Sequence, residues 1–127
     1  MTRRVAFGLL FAVPLAGKLG GRWRSRITVF RSGRATAARI RLLFSGDELV
    51  IEEFRPGGEL GWLYKGAVEI SKTDELTFRV AAVSDAAGRE ATDGRYQAGE
   101  SYPLGVVEVI SATRVRIGAW ELMKELE

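Results

Sequence analysis

The chain is patterned in twos. Between Trp23 and Val29, the apolar positions Trp23, Ile27 and Val29 share one parity, and Arg24 and Arg26 share the other. Between Ala38 and Phe44, the positions Ala38, Ile40, Leu42 and Phe44 alternate with Arg39 and Arg41. Such alternation marks strands with one buried face. Arg31-Ser32-Gly33-Arg34 joins the two runs and has turn composition, so together they predict a β-hairpin. Glu48–Phe54 reads as a third strand, stopped by Arg55-Pro56-Gly57-Gly58. There the proline removes a ladder donor and the glycines permit a sharp reversal.

Trp62, Tyr64, Val68 and Ile70 carry the same period through a fourth strand, and Gly66 within it signals a bulge or a close backbone approach. After the polar turn Ser71–Glu75, the positions Leu76, Phe78, Val80 and Ala82 make a fifth strand. Residues 84–101 form the longest polar, glycine-containing stretch, a loop with room for one short strand near Thr92–Gln97. Leu104–Ile110 and Thr113–Ala119 predict a last hairpin. The tail Trp120–Glu127 suits a short C-terminal helix, with Leu122, Met123 and Leu126 on one side.

About seven short strands with regularly spaced turns predict an all-β fold, an antiparallel β-sandwich or barrel. A chain of 127 residues is one domain by length. The expected organisation is an apolar and basic N-terminal arm over residues 1–22, then a single β-domain over 23–127. Thr2-Arg3-Arg4 followed by Val5–Val13 has the look of a signal peptide. The position three residues before a cleaved bond would be Pro14 or Leu15, however, and basic residues continue through Arg41. The preferred reading is a buried strand or an arm docked on a neighbour through Val5, Phe7, Leu9, Leu10 and Phe11. The run is too short to span a bilayer.

Charge sharpens this picture. Residues 1–46 hold ten Arg and Lys and no acid, and residues 47–127 hold nine basic and sixteen acidic residues. The net +3 is therefore +10 on one segment and 9 − 16 = −7 on the other. Segregated charge points to a charged partner. Histidine and cysteine are both absent. Their absence removes Ser-His-Asp and Cys-His nucleophile systems, thiolate metal sites and disulfides. Arginine outnumbers lysine fifteen to four, a bias that suits bidentate pairing with carboxylate or phosphate and that a GC-rich genome also produces.

No motif assembles a catalytic site. Ala12–Leu19 contains Gly17-Lys18, but Ala12 replaces the opening glycine of a phosphate loop and Leu19 replaces its Ser or Thr. Glu48 and Glu52 share a strand face and read best as counter-charges to the Arg strands. Asp85, Glu90 and Asp93 offer calcium-type ligands without EF-hand spacing, and a solvated loop is the simpler reading. Trp62 and Tyr64 read as core before they read as a ligand platform. No enzyme activity, metal or cofactor is expected.

The basic hairpin is the candidate site, with Arg24, Arg26, Arg39 and Arg41 on one face and Arg31 and Arg34 at the tip. Like charges on facing strands are unfavourable, so an anion must lie near. Three sources remain open: nucleic-acid phosphate, this chain's own carboxylates, and the carboxylates of a neighbouring subunit.

Residues 98–120 carry a resemblance. Gly99, Pro103-Leu104, the Val-rich run Val106–Ile110, Thr113 and the apolar end Ile117–Trp120 resemble the C-terminal hairpin of small β-rich virion proteins of tailed phages and gene transfer agents. The head-spike base proteins are the nearest of these. The match departs at Ser111-Ala112-Thr113-Arg114, where that family tends to a run of Thr and Gly. The resemblance implies a structural role in a particle. The expected function is a non-enzymatic assembly protein forming a symmetric oligomer, in a virion or the cytoplasm. The alternatives are a nucleic-acid-binding β-barrel and a secreted ligand-binding β-sandwich.

Overall fold

The computed structural model describes residues 19–31 and 34–125, with the backbone pairing alone described for 26–31 and 34–38. Eight antiparallel strands follow one another around a closed barrel. They are β1 (Gly21–Arg31), β2 (Arg34–Ser45), β3 (Glu48–Phe54), β4 (Leu60–Ile70), β5 (Glu75–Asp85), β6 (Ser101–Ser111), β7 (Arg114–Ile117) and β8 (Trp120–Lys124). Each strand pairs with the next, and β1 closes the ring on β8 through Trp23↔Lys124 and Arg24↔Met123. The fold is thus the barrel alternative, with one strand more than the pattern suggested. The eighth strand replaces the expected C-terminal helix: β8 continues the alternation, with Leu122 buried between exposed Glu121 and Met123. No helix among the described residues is long and apolar enough to cross a membrane.

Period two fills the interior. Trp23, Ile40, Leu42, Phe44, Leu49, Ile51, Tyr64, Leu76, Phe78, Val107, Val115, Ile117 and Leu122 are all buried in one cluster. Each large apolar side chain removed from water contributes about 1.5–3 kcal/mol. Leu19, just before β1, is 1% exposed, and its carbonyl accepts a 2.7 Å hydrogen bond from Trp23 Nε1. The chain is therefore already part of the packed body before β1 starts.

The alternation breaks at a bulge. β4 pairs Lys65 with Ala82 but Gly66 with Val80, leaving Ala81 as the extra residue. Parity flips there: Ala82, expected inside, is exposed and Val83 is buried instead. Gly66 is needed at this point, because a Cβ would collide with the Arg79 carbonyl oxygen and the Phe78 ring.

The 86–100 connection is the largely exposed loop that its composition suggested, without a strand at Thr92–Gln97, but it is anchored to the barrel. Its ends are fastened by Ala91 N–H to the Val83 carbonyl (3.0 Å) and Gly99 N–H to the Val80 carbonyl (2.8 Å). Tyr96 enters the core, with ring centroids 5.0 Å from Tyr64 and 5.9 Å from Phe78.

The β1–β2 hairpin outgrows the barrel. β2 meets β3 only from Arg39 onward, and β1 meets β8 only at Trp23 and Arg24. The pairs from Ile27↔Ala38 to Arg31↔Arg34 therefore have no further strand beside them among the described residues. They form a two-stranded ribbon standing off the wall.

Candidate functional site

The register gives the Arg hairpin its geometry. Arg24 lies directly opposite Arg41, Arg26 opposite Arg39, and Arg31 opposite Arg34. The first two pairs are neighbours on one face and would repel each other, while Arg31 and Arg34 sit at the tip with the opposite parity. On its other side β2 sets Arg41 against Glu52 and Arg39 against Phe54. Only one of these two arginines therefore meets a carboxylate.

Arg41 is well held. Its Nη1 lies 3.2 Å from Glu52 Oε1 and its Nε 3.0 Å from Glu125 Oε2, and its guanidinium sits over the Phe54 ring at 5.6 Å. Burial works against its charge, but the carboxylates of Glu125 and Glu52 outweigh that and raise its pKa above the ordinary value. Glu52 thus serves as the counter-charge that its strand position suggested. Glu48, on the same face, makes no ion pair among the described residues.

Arg24 and Arg39 are placed differently. Both are exposed, and no carboxylate of the described residues lies in salt-bridge range of either. With Arg41, Ile40, Phe54 and Glu125 they line a shallow cleft of about 100 Å³ on the outer wall, at the foot of the ribbon. The cleft has room for one small oxyanion. The side chains of Arg26, Arg31 and Arg34, and the arm residues Val5, Phe7, Leu9, Leu10 and Phe11, lie outside the described set.

A second charged group lies inside the barrel. Glu53 is 7% exposed and accepts from Arg95 Nε at 2.9 Å and Nη2 at 3.5 Å. Tyr64 Oη accepts the Arg95 backbone N–H at 3.0 Å and reaches Glu53 Oε1 at 3.5 Å. Burial raises the Tyr64 and Tyr96 hydroxyls above the usual phenol range. Burial also disfavours the Arg95 charge, but Glu53 more than restores it. The Arg95 pair pins the 86–100 connection over the barrel mouth. The sequence reading missed it, although the signal was present: Leu49, Ile51 and Glu53 share the inward parity of β3.

The other polar candidates have structural partners. Asp85 Oδ1 accepts from the N–H groups of Ala87 (2.9 Å) and Arg89 (3.0 Å), closing a turn. Asp93 accepts from Trp62 Nε1 at 3.1 Å. Among the described residues no set of three carboxylates is placed to hold a metal ion. Tyr64 is fully buried and so offers no stacking face to a ligand, while Arg55 covers the half-buried Trp62 ring at 5.5 Å.

Comparison with protein-family models, with curated proteins and with solved structures finds no match to this chain.

Proposed function

We propose that this protein is a non-enzymatic assembly protein that forms a symmetric oligomer through its Arg-rich β1–β2 hairpin, as a component of a phage-like particle. The observation that carries the reading is the ribbon itself. An isolated two-stranded hairpin is marginal in water, and its free edges invite another chain. Shorter unpaired edges occur elsewhere, at 108–111 of β6 and 68–70 of β4, but this ribbon is the longest stretch of described sheet without a further strand beside it. The unanswered charges of Arg24 and Arg39 lie at its foot and add an electrostatic requirement for company. The particle setting rests on the C-terminal hairpin resemblance alone.

Nucleic-acid binding is the second reading, favoured by the neighbouring Arg24↔Arg41 and Arg26↔Arg39 pairs on one face of the hairpin. Against it stands the placement of the described aromatics near the cleft. Trp23 is fully buried, and Arg41 already occupies one face of Phe54.

Sedimentation velocity of the full chain at low and moderate salt tests the proposal. A concentration-dependent oligomer supports it. A monomer at high protein concentration overturns it.

A further inference from the structure

Resting on the assembly reading, we infer that the Arg24–Arg39 cleft is an oxyanion site filled by a carboxylate of a second copy, supplied by its Asp47-Glu48 turn. Three guanidiniums line the cleft, but Glu52 and Glu125 both bind Arg41. That leaves Arg24 and Arg39 with charge to be answered from outside. A volume of about 100 Å³ has room for one carboxylate or phosphate group. Arginine is suited to the task, because its planar fork takes a carboxylate in bidentate fashion.

The complementary group exists on the same molecule but out of its own reach. In an eight-stranded meander the β1–β2, β3–β4 and β5–β6 connections lie at one end of the barrel. The β2–β3 and β4–β5 connections lie at the other. Asp47 and Glu48, at the β2–β3 turn, are exposed and make no ion pair among the described residues. They also edge a broad concavity of about 500 Å³ on the wall of β3–β5, which Lys65 and Arg79 line as well, the latter paired with Glu69.

Cleft and turn are different patches of one surface, so the contact is heterologous and repeats from copy to copy until a ring closes or a filament grows. It also accounts for the division of the chain into a +10 segment and a −7 segment, since each is the other's partner across the joint. Opposite charges at such a joint set specificity and salt sensitivity more than raw affinity.

A reciprocal charge swap tests this in the full-length chain. Arg39→Glu alone, and Asp47→Arg with Glu48→Arg, should each weaken self-association at least about tenfold. An equimolar mixture of the two variants should recover it, read by sedimentation velocity. Circular dichroism checks that each variant folds, and Arg39→Gln replaces Arg39→Glu if it does not. Inorganic phosphate should compete with wild-type assembly. Assembly lost in Arg39→Glu but not recovered by the mixture overturns the Asp47-Glu48 assignment and leaves the assembly reading standing. Arg39-dependent binding of duplex DNA by a chain that stays monomeric overturns the carboxylate in favour of phosphate, and the assembly reading falls with it.

Discussion

Arg95 and Arg39 are the same side chain in opposite circumstances. Arg95 comes from a long polar connection, yet its side chain is bound to a buried carboxylate and its backbone N–H to the Tyr64 hydroxyl. Arg39 comes from a regular strand of the barrel wall, yet no carboxylate of the described residues is in range of it. The loop residue is structural and the strand residue is available. Position in a secondary-structure element therefore says little about whether a charge is spent internally. What decides is whether the facing position holds an opposite charge. For Arg95 it is Glu53. For Arg39, β1 offers Arg26 and β3 offers Phe54.

The difference can be broken at its strongest point. Glu53→Gln leaves Arg95, whose guanidinium still reaches solvent, without its counter-charge and should cost about 2 kcal/mol, read as a lowered urea midpoint. A second effect follows from the phenols around that pair. Tyr64 and Tyr96 have pKa values raised by burial, whereas in the unfolded chain they ionise near about pH 10. Their contribution is complete below that pH and is lost as pH rises through the higher folded values. The thermal midpoint should therefore fall above about pH 10, and tyrosinate absorbance should appear together with unfolding.

Smaller effects belong to the outer wall. Arg41→Gln removes two half-exposed ion pairs and should cost about 0.5–1 kcal/mol, less in high salt, because relief of the facing Arg24 offsets part of the loss. Arg24→Gln with Arg39→Gln should leave the unfolding midpoint of the isolated chain unchanged or slightly raised, within about 0.5 kcal/mol. A large loss there would mean that these arginines are structural after all and would erase the contrast with Arg95.

Much of the barrel was legible because its strands bury one face and alternate cleanly. Ile40, Leu42 and Phe44 went inside and Arg39 and Arg41 outside, as their parity required. Legibility failed where one residue changed the count. The extra Ala81 reversed the parity of everything after it in β5, and only Gly66 hinted at the irregularity. The tail was misread because Leu122, Met123 and Leu126 fit a helix spacing, whereas a barrel needing closure recruited the segment as its last strand. The 86–100 connection is a long polar loop as its composition suggested, but the short strand at Thr92–Gln97 did not form and its anchoring was hidden by that polarity. Three side chains, Arg95, Tyr96 and Asp93, turn that polarity toward partners on the barrel. The Arg face was visible in the sequence, but its division into one answered and two unanswered arginines required the register of β2 against β3.

The way the ring closes carries a consequence of its own. β1 and β8 share two registered pairs, Trp23↔Lys124 and Arg24↔Met123, supplemented by the Glu125 N–H bond to the Arg22 carbonyl at 2.9 Å. They join positions roughly a hundred residues apart, so this contact bears nearly the whole chain's loop-closure entropy and returns few hydrogen bonds for it. The seam is where the native molecule will open first. In hydrogen exchange, the amides of residues 22–24 and 123–125 should lose protection well before those of β3–β5, while the rest of the sheet stays intact.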